Sequence, residues 1–287
     1  MKTSHFTYLI IFAMFLWGGG WSALKILTYD LPIDIIIFWR FFIMSLSFIP
    51  ILYFMKEPLH VNYLGTKFIA SSSVLNIAFM VFSFLGVEAG LAGSGGVIIT
   101  TLAPIMTFLL IAILFKTKFN SSQYLGLFIG LVGGIVMLEL HDISQFLHGS
   151  NIYFLLCAIV WAGVTILSQH SQAHINPIHY SFYISVIATI VSFIYAFGSD
   201  LTIVFSQSLE FWIALLYLAI FGQTIATTIF FIASGKLGSE KTSSFMFLVP
   251  LFSLIIAWVI LGEDAQLHVV IGGALSLVAV YFINRRN

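Results

Sequence analysis

Charged residues and cysteine are scarce in this chain of 287 residues, and each shortage argues against a class of protein. Only 8% of the residues are Asp, Glu, Lys or Arg, whereas about a quarter are charged in soluble domains. A water-soluble enzyme is therefore a poor interpretation. The single cysteine, Cys157, has no partner within the chain, which excludes an intrachain disulfide and a metal site built from several cysteines. The 11 basic and 11 acidic residues balance, and no basic run indicates a nucleic-acid partner.

Apolar residues make up 60% of the chain, and the mean hydropathy is +1.09. A chain surrounded by lipid needs such residues on its outside as well as its inside, and each helical span needs roughly 20 of them. The apolar runs are too long and too continuous for the strands of a membrane barrel. The sequence therefore predicts an all-α polytopic membrane protein. Its ten predicted transmembrane helices are 6–27, 33–55, 66–87, 91–115, 122–140, 151–169, 178–198, 209–233, 242–261 and 266–283.

The distribution of basic residues predicts the orientation, because Lys and Arg are retained on the cytoplasmic side. With the N-terminus inside, only Lys25 falls at an outer end, and Arg40 lies within a helix. Both termini are therefore predicted to be cytoplasmic. The basic residues on that side are Lys2, Lys56, Lys67, Lys116, Lys118, Lys236, Lys241, Arg285 and Arg286.

The two halves of the chain resemble each other. The segment LPIDIIIFWRFFIMSLSF, which begins at Leu31, aligns without gaps to NPIHYSFYISVIATIVSF, which begins at Asn176 and lies 145 residues later. An odd number of helices in each unit places the second copy in the opposite orientation. The sequence thus predicts two inverted five-helix repeats, 1–145 and 146–287, of the kind that expose a central site alternately to each side of a membrane. The N-terminal segment could pass for a signal peptide, but its counterpart in mid-chain favours a retained first helix.

Four segments resemble a known family: WGGGWSALK from Trp17, WRFF from Trp39, APIMTFLLIAILF from Ala103 and VPLFSLIIAWVILGE from Val249. They look like the EamA repeats of the drug/metabolite transporter superfamily, and the resemblance covers essentially the whole chain. It implies ten helices in two inverted EamA units. It also implies transport of small metabolites, often export of amino acids or related compounds across the bacterial inner membrane. The first repeat departs from the pattern, because Lys116 stands where the second has Gly262 and no acid like Glu263 follows.

Arg40 is the most informative residue for function. It lies eight residues past Pro32, about 12 Å along a helix, and a cation at that depth must face protein or water. It is either an anchor for an anionic group such as a carboxylate or a structural donor to backbone carbonyls. The position equivalent to Arg40 in the second repeat is Ser185, so the cation breaks the symmetry. Lys25 could attract anions, although snorkelling to the lipid headgroups is the favoured interpretation.

Large indoles and polar side chains at membrane depth complete the candidate site. Trp17 and Trp161 occupy equivalent helices and suit either core packing or an amphipathic solute. Gln223 and Thr227 lie one helical turn apart and predict a polar stripe along a cavity, although such groups also bond across helices. The candidate substrate-binding residues are Trp17, Trp21, Lys25, Arg40, Asn76, Thr100, Trp161, Thr165, Gln223 and Thr227.

Other residues predict bends and close packing. Pro104 and Pro250 fall at matching positions within helices and are candidate hinges. Gly126, Gly130 and Gly134 form overlapping GxxxG steps, which predict close helix packing or a dimer contact. His170 and His174 are four residues apart, but a metal site would need a third ligand, and histidines at the surface are expected. Catalytic residues, metal ligands and cofactors are not expected.

The sequence accordingly predicts an inner-membrane transporter that exports amino acids or similar zwitterions by alternating access. Its partners are a small-molecule substrate and the lipid bilayer, and it is a monomer or a homodimer. The rival is a multidrug exporter of organic cations, for which coupling to protons is an option. That rival usually needs an acid near the middle of a helix, and the chain has none there. An intramembrane enzyme is a remote alternative, because it would need a nucleophile and base or clustered ligands at depth.

Overall fold

The structure is a computed structural model that describes residues 3–89, 92–139, 149, 151–256, 258–259 and 266–285. Within these ranges the chain is helical and has no β-strand. A short 3₁₀ helix, Leu201–Ser206, precedes α8. The helices are α1 Thr3–Asp30, α2 Ile33–Met55, α3 Tyr63–Ala89, α4 Ala92–Phe115, α5 Ser121–Met137, α6 Asn151–Ser171, α7 Pro177–Tyr195, α8 Leu209–Leu237, α9 Ser239–Ile256 and α10 Leu267–Asn284.

Eight helical segments among the described residues are long and apolar enough to cross a membrane. Two shorter apolar segments, His5–Trp21 within α1 and Ser121–Met137, accompany them. Each predicted span overlaps one of these helices, and the ends that the structure describes differ by a few residues. The predicted ends at 91, 140 and 261 lie outside the described residues. Large apolar side chains such as Tyr53, Phe54 and Phe128 are exposed on the outside of the bundle, as a lipid-facing surface requires. The all-helical membrane fold is confirmed, and the number of spanning helices stays a prediction.

Polar residues and a glycine mark the ends of several helices. Asn120 caps α5 through a capping box, because its side chain accepts from the Gln123 backbone N–H and the Gln123 side chain accepts from the Asn120 backbone N–H. Asn176 caps α7, where Pro177 occupies the first turn. Gly238 adopts a φ of 94° between α8 and α9, a conformation that side chains disfavour. These local signals place the helix ends within a few residues of the predicted ones.

The two halves interleave. Helix α6 packs mainly against α3 and α4, and α1 packs in the corresponding way against α8 and α9. Helices α2 and α7 form one pair across the halves, and α5 and α10 form another. This exchange of partners is what an inverted repeat with a pseudo-two-fold axis produces. The repeat boundary between residues 145 and 146 stays a prediction.

Glycines allow α5 and α10 to approach each other closely. A methyl group at Gly126 would lie 2.8 Å from the Ala279 carbonyl oxygen, and one at Gly133 would lie 3.1 Å from the Gly272 carbonyl oxygen. Of the three glycines in the GxxxG steps, Gly126 therefore faces α10, while a methyl group at Gly130 would meet the Phe247 ring and one at Gly134 would meet the Thr101 side chain. All three contacts lie within the chain. The prediction of close helix packing is met at these residues, while the oligomeric state stays a prediction.

Two helices contain irregular segments. In α8, residues Tyr217–Thr227 form a π-helical segment, a form that is rare and occurs frequently at functional sites. In α9, residues Phe245–Leu248 form a 3₁₀ turn that ends two residues before Pro250, which has no N–H to offer. The equivalent residue Pro104 lies inside α4, which is continuous there. The hinge prediction thus coincides with a local break at Pro250 but not at Pro104.

Candidate functional site

A cavity of about 100 Å³ lies where α1, α2, α3, α4, α6, α8 and α9 meet. Its polar and charged lining is sparse and comes from both halves of the chain. We call it the central cavity. Its lining residues are Trp17, Gly20, Trp21, Leu24, Arg40, Phe79, Ser83, Ile99, Thr100, Trp161, Leu218, Gly222, Gln223, Thr227, Met246 and Val249.

Arg40 is the only charged residue among the described residues that line the central cavity. Its Nη1 donates to the Sδ atom of Met80 over 3.7 Å, and a thioether sulfur is a weak acceptor. Its Nε is inaccessible and has no hydrogen-bond partner. Among the described residues, no carboxylate oxygen lies within 4.0 Å of a guanidinium nitrogen of Arg40. A guanidinium buried in this way costs free energy, which an anionic group in the cavity would recover.

The π-helical segment of α8 forms one wall of the central cavity. The indole Nε1 of Trp17 donates to the Gly222 carbonyl oxygen over 3.0 Å, and the Thr227 hydroxyl donates to the same oxygen over 3.1 Å. Ser47, seven residues after Arg40 on α2, lies with its Oγ 2.6 Å from the Oγ1 of Thr224. These contacts join α1 and α2 to the segment, so the wall and the cation are held together.

An aromatic cluster with Trp161 at its centre lies beside the cavity. Trp161 contacts Trp17 at 5.4 Å between ring centroids, Phe79 at 4.9 Å and Phe230 at 5.8 Å. Trp161 is 5% exposed, and its indole N–H has no partner. The cavity therefore has a second donor without an acceptor, and this one comes from the second half of the chain.

The hydroxyls of the cavity donate to nearby acceptors and keep lone pairs. Thr100 donates to the Gly96 carbonyl oxygen over 2.7 Å, and Ser83 donates to the Met80 carbonyl oxygen over 2.9 Å. The Thr227 hydroxyl also lies 3.0 Å from the Gln223 Oε1, so the predicted pairing of these two residues on one face is present. Since a donating hydroxyl still accepts, these groups provide acceptors in the same cavity as the cation.

Most of the predicted binding residues meet at the central cavity, and a few lie elsewhere. Asn76 donates to the Ser72 carbonyl oxygen. Thr165 donates to the Trp161 carbonyl oxygen, one turn beyond the cavity on α6. The side chain of Lys25 lies outside the described part of the chain. Neither Asn76 nor Thr165 lines the cavity. Each instead satisfies a carbonyl of its own helix, which is the alternative use of polar groups in membranes.

Sequence reasoning missed several lining residues. Ser83 lies seven residues after Asn76 on α3, and this spacing of two turns was the signal that could have found it. Gly222 is next to Gln223 in the sequence. It contributes to the site through its backbone carbonyl oxygen, and the residue type alone does not indicate such a role. Met246 lies in the 3₁₀ turn of α9 and Val249 directly follows that turn, and both residues line the cavity.

The residue equivalent to Arg40 in the second repeat, Ser185, has a structural role. Ser185 receives a hydrogen bond of 3.0 Å from the Ser45 hydroxyl at the contact between α2 and α7. It does not line the cavity. The first repeat therefore contributes a charged residue to the cavity at this position, and the second repeat does not.

Comparisons with known proteins agree with this architecture. The sequence profile of the EamA-like transporter family matches residues 7–139 and 149–285. An uncharacterized transporter of Synechocystis sp. is 30% identical, over 96% of this chain and 89% of its own length. A protein of Salmonella typhimurium named "probable amino-acid metabolite efflux pump" is 21% identical, over 96% of this chain and 93% of its own. A solved crystal structure superposes with a TM-score of 0.78 at 16% identity, over 99% of this chain and 97% of its own.

Proposed function

The chain belongs to the EamA-like transporter family, and from that premise we propose that it exports amino acids or similar zwitterions across the bacterial inner membrane. The central cavity holds the substrate, and the two inverted repeats expose it alternately to the two sides. Both termini lie in the cytoplasm. The similarity to a protein named as an amino-acid metabolite efflux pump supports the choice of substrate.

The observation that carries the proposal is Arg40. It is a cation that lines the central cavity with no acidic partner among the described residues, and its Nε is left without an acceptor. A carboxylate accepts from a guanidinium through two oxygens at once. Arg40 therefore binds the carboxylate of the substrate, and the lone pairs of Ser83, Thr100 and Thr227 face the ammonium group.

The size and lining of the cavity favour an amino acid over a drug. About 100 Å³ is well below the roughly 300–1,000 Å³ of drug-sized pockets. The faces of Trp17, Trp21 and Trp161 suit an apolar side chain. An organic cation would be repelled by Arg40 in a site of low dielectric constant.

The interleaved helices support alternating access. Helix α1 packs against helices of the second half, and α6 packs against helices of the first. When the helices around α1 or α6 shift, that cavity-lining helix therefore moves with them. Rigid rearrangement of repeats about a fixed site is how inverted-repeat transporters open to each side in turn.

Counterflow in proteoliposomes tests the proposal. Vesicles are loaded with unlabelled amino acids, and the uptake of individual labelled amino acids is followed. We expect uptake that requires internal amino acid. The Arg40→Gln variant should raise the half-saturation concentration roughly ten- to a hundredfold, as the loss of a hydrogen bond to a charged group does.

The matched control is Arg285→Gln, which removes the same charge at the end of α10, away from the cavity. It should leave uptake unchanged. If amino acids fail to exchange in folded protein, or if organic cations exchange and do so better in the Arg40 variant, the substrate assignment is wrong and the multidrug alternative takes its place.

A further inference from the structure

A second pocket, open and about 950 Å³ in volume, lies at one end of the bundle. Its walls are the α2–α3 connection, the end of α6 with the connection that follows it, the start of α7 and the end of α8. We call it the vestibule. Its titratable and charged residues are Glu57, His60, His174, His179 and Lys236. It lies at the predicted cytoplasmic end, where Lys56 and Lys236 are found.

His179 gives the vestibule a buried polar group that no protein atom satisfies. The residue is 3% exposed, and its Nε2 has no hydrogen-bond partner, yet it lines the pocket. This position departs from the expectation of surface histidines. An unpaired polar atom at a buried site costs free energy, and a ligand in the vestibule would recover that cost.

The vestibule also offers one charge of each sign. Lys236 is exposed on the wall formed by the end of α8. Glu57 is exposed on the α2–α3 connection, and its Oε2 accepts from the Asn176 Nδ2 over 3.0 Å, which leaves Oε1 free to accept. An ammonium donor, an imidazole and a carboxylate around one open space match a molecule that has a carboxylate and an ammonium group.

A layer of hydroxyls lies between the vestibule and the central cavity. Along α6, Trp161 of the cavity and Gln169 of the vestibule are eight residues apart, about 12 Å at the rise of a helix. Between them, the Oγ atoms of Ser168 and Ser234 are 2.7 Å apart. The Ser239 hydroxyl donates to the Thr165 carbonyl oxygen over 3.2 Å. Along α6, bonded hydroxyl groups therefore separate the residues of the two pockets.

We propose that the vestibule is a second binding site for a zwitterionic amino acid, in which Lys236 and His179 hold the carboxylate and Glu57 accepts from the ammonium group. This inference rests on the proposed function, because it makes the vestibule the place where the substrate binds before it reaches the central cavity. Since the vestibule is wide and open to solvent, its affinity is lower than that of the central cavity.

Nuclear magnetic resonance of full-length protein labelled with ¹³C at histidine Cε1 tests the proposal in lipid nanodiscs. The His179 signal is identified by its absence in the His179→Gln variant. The probes are L-leucine, L-threonine and L-phenylalanine. We expect at least one of them to shift the His179 signal saturably. The two partial analogues of leucine, 4-methylpentanoate and 3-methylbutylamine, each lack one charge and should require much higher concentrations.

Three variants separate the vestibule from the central cavity. Lys236→Gln should weaken the response of the His179 signal about tenfold, as expected for the loss of a charge-assisted hydrogen bond at an exposed site. Lys241→Gln is the matched control, because it removes a lysine at the same end that does not line the vestibule, and it should change nothing. Arg40→Gln should leave the response intact, because Arg40 lines only the central cavity.

The outcomes distinguish this inference from the proposed function. Amino-acid counterflow with no saturable shift of the His179 signal, or with equal effects of the Lys236 and Lys241 variants, overturns the second site alone. A saturable shift without counterflow overturns the transport proposal and retains the second site. If neither amino-acid counterflow nor a saturable shift of the His179 signal is observed, the transport proposal and the second site are both overturned.

Discussion

The Trp17 indole donates a hydrogen bond of 3.0 Å to the carbonyl oxygen of Gly222, which lies 205 positions later in the chain. The bond joins the first helix of one half to the π-helical segment of the other. The same oxygen accepts from the Thr227 hydroxyl. One backbone oxygen of α8 therefore accepts from α1 and from its own helix at the edge of the central cavity.

Replacing Trp17 by phenylalanine should weaken this connection. The ring and most of its packing remain, but the N–H donor is lost, so we expect the free energy of unfolding to fall by about 1 kcal/mol. Counterflow uptake should fall as well. Trp21→Phe is the matched control, because Trp21 lines the same cavity and its indole has no hydrogen bond among the described residues. Thermal unfolding of both variants checks the prediction, and equal losses would contradict it.

Gly222, which lines the central cavity, and Gly96, which packs against the cavity residue Trp21, should respond differently to a methyl group. At Gly222 the nearest atoms to such a group are 3.9 Å away, whereas at Gly96 the Trp21 ring is 3.0 Å away. We expect Gly222→Ala to retain or gain stability, by up to about 1 kcal/mol, as Gly-to-Ala changes in helices do. Because the added methyl group fills cavity space, the half-saturation concentration should rise.

Gly96→Ala should instead lower the free energy of unfolding by about 1–3 kcal/mol, the usual cost of overpacking. Chemical denaturation and counterflow titrations of the two variants test this contrast. A loss of stability in Gly222→Ala equal to that in Gly96→Ala would show that the space beside Gly222 is not open.

Removing the buried charge of Arg40 should stabilise the empty transporter. The Arg40 Nε is inaccessible and has no hydrogen-bond partner, and Nη1 has only a sulfur acceptor. Even for buried charges that are paired, replacement by apolar groups of similar size is often neutral or stabilising by about 1–4 kcal/mol. We expect Arg40→Met to unfold at a higher temperature than the wild type without substrate. The wild type should gain stability when the transported amino acid is added, and the variant should not. A variant that unfolds at a lower temperature would indicate a structural role for the cation.

The two prolines should differ in their effect on the rate of transport. Pro250 follows a 3₁₀ turn that lines the cavity, whereas Pro104 lies in a continuous helix. We expect Pro250→Ala, which restores a backbone donor and favours a regular helix, to lower the maximal counterflow rate severalfold with little change in half-saturation. Pro104→Ala should change the rate less. Initial rates over a range of substrate concentrations separate the two parameters, and a larger effect at Pro104 would refute the assignment of the hinge.

The sequence led to most of the site for an identifiable reason. Arg40, Trp17, Trp161 and Gln223 are costly or bulky groups at membrane depth, so they must face protein, water or ligand, and all four line one cavity. Asn76 and Thr165 belong to the same chemical class, but each bonds to a carbonyl within its own helix. Residue type does not distinguish these two uses, because both satisfy a polar group away from water.

Hydropathy and the internal repeat determined by themselves that the chain is a helical membrane protein with two related halves. These features follow from the cost of exposing polar backbone to lipid, which acts along the chain and can be read locally. Only the tertiary structure decided that α1 and α6 exchange places between the halves. It also decided that the Gly222 carbonyl oxygen binds the Trp17 indole and that His179 faces an open vestibule. These relationships join residues far apart in sequence and depend on the packing of several helices at once, which no local pattern encodes.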